Sequence, residues 1–312
     1  KKSHRHFGKM TEAIYLEVLN KHEELKRKRR VSISGMIHVL GASRSGYNSW
    51  LHRLPSGRQK RKKAVKEEIK KIYDKSHQNY GAPKITKEIR KTGKKISERT
   101  VGKYMKELGI RAQYVKPYTI TTKDSDFSSK LENILNEQFN PIAPNAVWCT
   151  DITYLWTDAG FVYLASIMDL YSRKIIAWTL SKTLEVSCVI DTINKAKKNR
   201  KLVNPVIIHS DRGRQYVSKE YRKAASKMVL SYSKKAYPWD NACIESFHAI
   251  IKREWINRFR IKNYRHAYIL VFEYIETFYN TVRIHSHCNY MSPNEFEKVY
   301  KKTAKFDESI AS

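Results

Sequence analysis

The pattern of apolar and polar positions divides the chain into a helical first part, an irregular stretch and a mixed second part. Over residues 11–30 apolar positions recur at the spacing of one helix face, which predicts a helix. An apolar run over residues 31–40, a turn at Gly41 and a short helix opening at Ser43 follow. We therefore predict an all-α, helix-turn-helix region over residues 1–58.

A second helix-turn-helix is predicted over residues 59–115. Ile85 and Ile89 lie on one side of its first helix, and Ser97 caps a second helix that closes at Gly109. The basic residues left on the outside of that second helix are Arg99, Lys103 and Lys106. Such a pair fits the major groove of DNA, although spacing alone leaves an ordinary helical hairpin open as the alternative.

Helical periodicity is lost over residues 116–140, where Thr, Ser, Lys and Asp collect, so we predict a linker there. The pattern then indicates three antiparallel strands, a helix, a strand and another helix over residues 141–262. That order predicts a mixed sheet with helices on its faces. A helical carboxyl-terminal segment is predicted over residues 263–312.

Three carboxylates in the second part stand where an acid serves no evident structural purpose. Asp151 interrupts a run of strand-forming residues, and Asp211 falls at the carboxyl end of a predicted parallel strand. Glu245 lies beside the apolar stripe of a predicted helix. Mg²⁺ takes oxygen ligands and keeps several waters, so two ions beside a phosphate need only a few converging carboxylates. We predict that these three acids are catalytic and hold two Mg²⁺ ions, with Mn²⁺ able to substitute.

Other residues near these acids receive structural interpretations. Glu254 competes with Glu245 on the same helix, but its neighbouring lysine and arginine predict an exposed surface residue. Asp169 and Arg173 are expected to form a structural turn pair. Asn241 is expected to cap the helix that carries Glu245, with a DNA contact as the alternative.

Charge identifies the class of partner. The chain of 312 residues has 61 Lys plus Arg against 30 Asp plus Glu, a net charge of +31, and 32 of the basic residues but only 10 of the acidic ones lie in the first 120 positions. A polyanion is the predicted partner, and nucleic acid is favoured over a membrane surface. No apolar stretch approaches the roughly 20 residues that a spanning helix needs. The four cysteines lack zinc-site spacing, so free thiols are expected.

Four motifs in order resemble the ribonuclease H-like catalytic core of DDE transposases and retroviral integrases. They are Trp148-x-Thr150-Asp151-Ile152-Thr153-Tyr154, Asp169-Leu170-Tyr171-Ser172-Arg173-Lys174, His209-Ser210-Asp211-Arg212-Gly213-x-Gln215-Tyr216 and Asp240-Asn241-Ala242-x-x-Glu245-Ser246-Phe247. With Tyr80-Gly81 and Tyr279-Asn280-x-x-Arg283-x-His285, nearly the whole chain is similar to the second-frame part of bacterial copy-out, paste-in insertion-sequence transposases, which are commonly made by frameshifting.

The resemblance implies an α/β fold, with a ribonuclease H-like mixed five-stranded sheet flanked by helices between all-α helix-turn-helix domains and a helical carboxyl-terminal segment. The step from Asp211 to Glu245 is about two positions shorter than in the family pattern. We therefore expect a shorter helix between them.

The resemblance also implies an activity. Metal-dependent cleavage would release a 3′-hydroxyl at each insertion-sequence end, and strand transfer would follow through a circle intermediate and integration into target DNA. The implied partners are the terminal inverted repeats, target DNA and further copies of the chain, at least a dimer in the synaptic complex. A catalytically silent, end-binding regulator of transposition and a plain ribonuclease H-type nuclease remain the alternatives.

Two further expectations complete the sequence-based picture. Lys252, two helical turns after Glu245, and Arg283 of the carboxyl-terminal signature are expected to contact DNA, with a solvated surface lysine as the alternative for Lys252. Because no secretory signal is visible, the protein is expected in the bacterial cytoplasm, associated with the nucleoid when bound to DNA.

Overall fold

The structure is a computed structural model of the chain. The residues it describes are 2–25, 32–113, 131–234 and 237–311. The chain divides into two units, Lys1–Glu67 and Glu68–Ser312. The basic run over residues 26–30 and most of the predicted linker lie outside the described residues.

The first unit contains three helices, α1 (Lys2–Leu25), α2 (Ile33–Val39) and α3 (Arg44–Leu51). Ser32 and Ser43 cap α2 and α3, because each side-chain oxygen accepts a hydrogen bond from the backbone N–H three residues later, at 3.0 and 3.2 Å. The buried core residues are Tyr15, Val18, Ile37 and Tyr47. The predicted turn at Gly41 and the capped helix opening at Ser43 are thus confirmed, and a helix stands within the apolar run that precedes them.

The second helix-turn-helix consists of α5 (Ala82–Lys91) and α6 (Glu98–Glu107), preceded by α4 (Gly57–Lys75). The sequence did not reveal α4, because its only buried residues are a narrow stripe on a helix otherwise covered by lysine, arginine and glutamate. The stripe is Val65, Ile69 and Tyr73. The boundary between the two units falls inside α4, so this helix-turn-helix shares a unit with the sheet.

Five strands form the sheet. They are β1 (Val147–Thr157), β2 (Gly160–Asp169), β3 (Lys174–Ser181), β4 (Ile207–Ser210) and β5 (Val229–Tyr232). Their order is β3-β2-β1-β4-β5. Strand β2 runs antiparallel to β1 and β3, whereas β1, β4 and β5 run parallel to one another. This is the ribonuclease H-like mixed sheet that the resemblance implied, and the α/β fold class is confirmed.

Helices cover both faces of the sheet. The main apolar core includes Trp148 of β1 and the buried side of α7 (Val186–Asn199). Asp151 lies three positions after Trp148 and therefore faces the other side of the strand, where α10 (Ala242–Glu254) packs. The expectation of a shorter helix between Asp211 and Glu245 stays a prediction; two short helices stand there. They are α8 (Arg214–Val217) and α9 (Lys219–Ala224).

The carboxyl-terminal segment is helical, as predicted. It contains α11 (Tyr264–Phe272), a π-helical continuation (Glu273–Tyr279) and α12 (Pro293–Ala311). Within the described residues, no helix has the length and apolar character needed to cross a membrane.

The described end of the predicted linker, residues 131–140, lies against the sheet. The backbone N–H groups of Ile134 and Leu135 both donate to the Ser231 hydroxyl of β5 at 3.0 Å. This stretch therefore belongs to the core unit.

Candidate active site

Asp151 and Asp211 stand on neighbouring strands. The parallel register of β1 and β4 ends with the pair Cys149 and His209, and each acid follows two positions after its member of that pair. Adjacent strands lie about 4.8 Å apart, so the two carboxyl groups start from neighbouring points on the sheet. Asp211 follows directly on the end of β4.

His248 of α10 connects the third acid's helix to Asp151. Its Nδ1 lies 3.2 Å from Oδ2 of Asp151, and its Nε2 lies 2.7 Å from the Ser166 hydroxyl. Ser166 is the cross-strand partner of Asp151. A neutral imidazole with its proton on Nδ1 satisfies both contacts, donating to the carboxylate and accepting from the hydroxyl. The sequence predicted no role for His248, although it lies three positions after Glu245 and so on the same helix face.

Glu245 lies on α10 within electrostatic reach of Asp151. Partial burial, and then the negative charge of Asp151, raise the pKa of Glu245 above its ordinary value. Its side chain nevertheless remains open to solvent on one side. A carboxylate that is repelled by a second carboxylate and open to solvent is suited to receiving a cation.

Tyr216 of α8 lies beneath the acids. It is fully buried, and its hydroxyl is 3.1 Å from the Thr150 hydroxyl. Burial, and then the negative charges of Asp151 and Asp211, raise its pKa well above the ordinary value. Tyr216 thus lies within electrostatic reach of both Asp151 and Asp211, which agrees with the register of the two strands.

Gly213 fixes the side chain of Asp211. Its backbone N–H donates to Oδ1 of Asp211 at 2.9 Å. A Cβ atom at position 213 would lie 2.9 Å from the same oxygen. A side chain at position 213 would therefore force the Asp211 carboxylate to move.

Lys252 lies beside the acids, on the face of α10 that the helical spacing predicts. Burial lowers its pKa, while the negative charge of Asp151 acts in the opposite direction. Its Nζ sits 4.6 Å from the centre of the Tyr154 ring.

The arrangement around Glu254 and Arg283 corrects two expectations. Glu254 is 7% exposed and Arg283 is 6% exposed, and the guanidinium donates to both carboxylate oxygens at 2.7 Å. The expected exposed role of Glu254 and the expected DNA contact of Arg283 were therefore wrong. The sequence could not show that these two charges, 29 positions apart, neutralise each other.

Asp169 and Asn241 are structural residues. Asp169 is fully buried and accepts hydrogen bonds from the backbone N–H groups of Asn145 and Tyr171 at 2.8 and 3.0 Å, while Arg200 lies 4.0 Å away. Burial raises its pKa to about 6. Its cationic neighbour is thus Arg200, which corrects the expected pairing with Arg173.

Asn241 occupies the position before α10, but its side chain does not cap the helix. Its amide instead lies 3.5 Å from the backbone oxygen of Thr150 on β1. The expectation of a capping side chain was therefore wrong.

The predicted DNA-facing residues of α6 are accessible. Arg99, Lys103 and Lys106 are all exposed, while Val101 and Met105 turn towards the interior. The helix thus presents a basic outer face, as its sequence pattern predicts.

The acids offer oxygen ligands but do not form a complete metal site. In the described ranges, no three His, Cys, Asp or Glu side chains converge tightly enough to hold an ion alone. The donor chemistry fits a hard divalent cation, because the groups gathered here are carboxylates whose mutual repulsion a cation would relieve. The predicted binding of two Mg²⁺ ions stays a prediction.

Comparison with protein-family models agrees with this architecture. The model of an HTH-like domain matches residues 60–118. Two models of the integrase core domain match residues 141–235 and 226–293. The strand order and these matches define the class of protein: the chain is a DDE polynucleotidyl transferase.

Similar proteins specify the family. The chain is 35% identical over 276 residues to the transposase InsF for insertion sequence IS3A of Escherichia coli (strain K12), which covers 87% of this chain and 96% of that protein. It is 36% identical over 250 residues to the transposase for insertion sequence element IS904 of Lactococcus lactis subsp. lactis (strain IL1403), covering 80% of this chain and 99% of that protein. The chain belongs to the IS3 family of insertion-sequence transposases.

Solved structures give more distant likenesses. A chain of the simian T-cell lymphotropic virus intasome in complex with PP2A regulatory subunit B56 gamma is 15% identical, with a TM-score of 0.42 and coverage of 73% of this chain and 74% of that one. The HTLV-2 integrase catalytic core domain in complex with magnesium is 16% identical, with a TM-score of 0.38 and coverage of 50% and 98%. The fold assignment rests on strand order, not on these likenesses.

Proposed function

We propose that this transposase cuts DNA at the ends of its insertion sequence, releases 3′-hydroxyl groups and joins them to new DNA, with Asp151, Asp211 and Glu245 as the catalytic acids. The observation that carries the proposal is that Asp151 and Asp211 each follow two positions after the last paired residues of β1 and β4, and that both lie within electrostatic reach of Tyr216. The negative charge of Asp151 contributes to the raised pKa of Glu245, which supports Glu245 as the third catalytic acid.

The three acids would hold divalent metal, two Mg²⁺ ions per site, with Mn²⁺ able to replace them. Such ions, when bound, activate a hydroxyl nucleophile and stabilise the leaving oxygen of a phosphodiester. Mg²⁺ keeps waters and binds substrate phosphate, so DNA would supply ligands that the free protein lacks. Ligands from DNA and water would therefore complete a metal site that the three acids alone do not form.

The remaining side chains near the acids would position the reacting groups. His248 orients Asp151 by donating to Oδ2, and the Gly213 N–H orients Asp211. Lys252 would bind a DNA phosphate beside the acids. Positioning and charge stabilisation then account for the protein's part in catalysis.

DNA recognition would fall to the second helix-turn-helix. The exposed Arg99, Lys103 and Lys106 of α6 would enter the major groove of the terminal inverted repeats. We propose at least a dimer in the synaptic complex, a circle intermediate before integration into target DNA, and a site of action at the nucleoid in the bacterial cytoplasm.

The proposed domains keep the predicted boundaries, except that the end of the linker over residues 131–140 joins the core. A helix-turn-helix region would span residues 1–58, a DNA-binding domain 59–115, a linker 116–140, the catalytic core 141–262 and a helical segment 263–312. The close association of residues 131–140 with β5 supports assigning part of the linker to the core.

The decisive experiment compares Glu245→Gln with the unaltered chain on a labelled terminal-repeat duplex in Mg²⁺. The variant is expected to bind the duplex with unchanged affinity and to produce neither cut nor joined strands. Glu220→Gln, an exposed acid on α9, is the matched control and should react normally. Strand joining by Glu245→Gln at the normal rate would refute the assignment.

The same experiment separates the alternatives. A catalytically silent end-binding protein would bind the duplex without cutting it in either form. A plain ribonuclease H-type nuclease would cleave RNA–DNA hybrids without joining strands.

A further inference from the structure

An exposed aromatic cluster lies on the β1–β2 hairpin. Trp156 is 62% exposed and Phe161 is 45% exposed, and their ring centres lie 4.8 Å apart in an edge-to-face contact. Tyr154 contacts Phe161 in the same manner at 5.4 Å. Three rings therefore form a continuous surface that the fold leaves partly open to water.

The register explains why these rings meet. Trp156 and Phe161 are direct cross-strand partners, and Tyr154 lies two positions before Trp156, on the same face of β1. Cross-strand aromatic pairs stabilise a hairpin. That role accounts for their contact with each other but not for leaving so much aromatic surface in water.

Lys252 connects the cluster to the acids. Its Nζ lies 4.6 Å from the centre of the Tyr154 ring, and it also lies within electrostatic reach of Asp151. Asp151 faces the opposite side of β1, and the pairing of β1 with β4 ends at Cys149. Beyond Cys149 only the edge of β1 that faces β4 lacks a strand partner within the described sheet, since β2 pairs with the other edge as far as Thr157. Lys252 lies within reach of both Tyr154 and Asp151 in this part of β1.

We propose that Trp156, Phe161 and Tyr154 form a stacking platform for unpaired nucleobases, those of the DNA strand peeled away from its complement at the insertion-sequence end. The proposal rests on the proposed function, since it supplies the reason for DNA to be cut nearby. One strand would remain with the acids on one face of β1, and the bases of the other would stack on the opposite face.

The chemistry of the cluster favours a nucleic-acid strand as its occupant. Aromatic rings stack on any base, and cations beside them attract the phosphate backbone. Lys252 lies at one end of the cluster, and Arg260 lies at the hairpin turn, 3.1 Å from Asp158. Trp156 lies five residues from Asp151, about 17 Å along the strand, which a short unpaired segment spans.

The first test measures base stacking without catalysis. Binding of a fluorescein-labelled dT12 strand is compared with that of an abasic strand of equal length and charge, by anisotropy in the absence of divalent metal. The full chain should prefer dT12, and Trp156→Ala should bind dT12 roughly ten- to hundred-fold more weakly while its affinity for the abasic strand stays unchanged. Trp156→Phe should retain most of the preference.

Phe272→Ala is the matched control, because Phe272 is 46% exposed on α11 and lies outside the cluster. It should leave the affinity for dT12 unchanged. Equal loss on both strands with Trp156→Ala, or no loss on either, would overturn the platform. A shift of the monomer–dimer equilibrium by Trp156→Ala without any change in base preference would instead assign the cluster to contact between chains and also overturn it.

The second test links the platform to the reaction. Trp156→Ala should cut a fully paired terminal-repeat duplex at least ten-fold more slowly, and three mismatched pairs beside the cut should restore the rate. Equal slowing on both duplexes would contradict strand capture. Absence of cutting by the unaltered chain would reject the proposed function. The stacking platform would still be tested independently by the preference for dT12 over the abasic strand.

Discussion

Arg283 holds Glu254 at the end of the helix that carries Glu245. Its Nε and Nη2 each lie 2.7 Å from a different oxygen of the Glu254 carboxylate, and the Tyr274 hydroxyl donates to the same carboxylate at 2.8 Å. Burial by itself would raise the pKa of Glu254, but the charge and hydrogen bonds of Arg283 outweigh it and lower that pKa. The carboxyl-terminal signature thus fixes one end of α10.

The same segment contacts the second helix-turn-helix. The Tyr80 hydroxyl accepts a hydrogen bond from the N–H of Ile284 at 2.8 Å and donates to the backbone oxygen of Val282 at 3.3 Å. Two motifs some 200 positions apart therefore meet around Arg283. The contacts connect the helix-turn-helix to the end of α10 within one unit.

Arg283→Met is expected to destabilise the protein by about 3–5 kcal/mol, because it leaves the Glu254 carboxylate buried without its cation. Urea unfolding at pH 7 measures the loss. Arg260→Met, which breaks an exposed pair with Asp158, is the control and should cost at most about 1 kcal/mol. A similar small loss for both variants would contradict the buried-pair interpretation.

The cost of Arg283→Met should also depend on pH. Because the folded state lowers the pKa of Glu254, the pair stabilises the fold above the unfolded pKa, and that stability is lost as pH falls through the lower folded value. The difference between the two proteins should therefore shrink below about pH 4.5. A difference that is constant from pH 7 to pH 3 would exclude this linkage.

Glu245→Gln should slightly stabilise the metal-free protein at neutral pH. Partial burial and repulsion from Asp151 raise the pKa of Glu245, so its ionised form opposes folding above that pKa and the amide removes the effect. The gain should be at most about 1 kcal/mol, because solvent screens the side chain. Added Mg²⁺ should raise the melting temperature of the unaltered chain more than that of the variant, and equal shifts would argue against Glu245 as a ligand.

His248→Ala should slow strand transfer about 10–100-fold, because loss of a hydrogen bond that orients a metal-binding carboxylate has effects of that size. DNA affinity should not change, and the Mg²⁺ concentration for half-maximal rate should increase. His52→Ala, at an exposed position in the first unit, should behave as the unaltered chain. A lower rate with an unchanged Mg²⁺ requirement would mean that His248 does not act through Asp151.

Gly213→Ala should reduce strand transfer at least about ten-fold, since a new Cβ would lie 2.9 Å from Oδ1 of Asp211 and displace it, and misplaced groups lose rate steeply. Binding of the terminal-repeat duplex should persist. Gly57→Ala is the control, because a Cβ there meets nothing within 4 Å. Normal strand transfer by Gly213→Ala would show that the position of Asp211 is not critical.

Replacing Arg99, Lys103 and Lys106 by alanine should weaken binding to the terminal-repeat duplex and flatten its salt dependence. Each phosphate that the variant no longer neutralises lowers the slope of log affinity against log salt by about 0.9. Fluorescence anisotropy at several salt concentrations measures the slope. An unchanged slope would place the DNA contacts of the second helix-turn-helix on another surface.

Much of the fold follows from local patterns. The helices capped by Ser43 and Ser97 and the strand ending before Asp211 were predictable, because cap chemistry and apolar periodicity act over a few residues. The helix α4 and the strand β5 were not located, because the apolar stripe of α4 is narrow among many charged residues and β5 is only four residues long. Their formation depends on burial against elements elsewhere in the chain.

The sequence by itself determined which acids are candidates and which class of DNA-acting protein carries them, because residue identity and motif order are written in the chain. Only the tertiary structure decided that Arg283 neutralises Glu254, that Asp169 is enclosed near Arg200, and that His248 reaches Asp151. The physical reason is that a charged or polar side chain takes its role from its neighbours in space. Those neighbours lie 29 to 97 positions away, and folding alone brings them together.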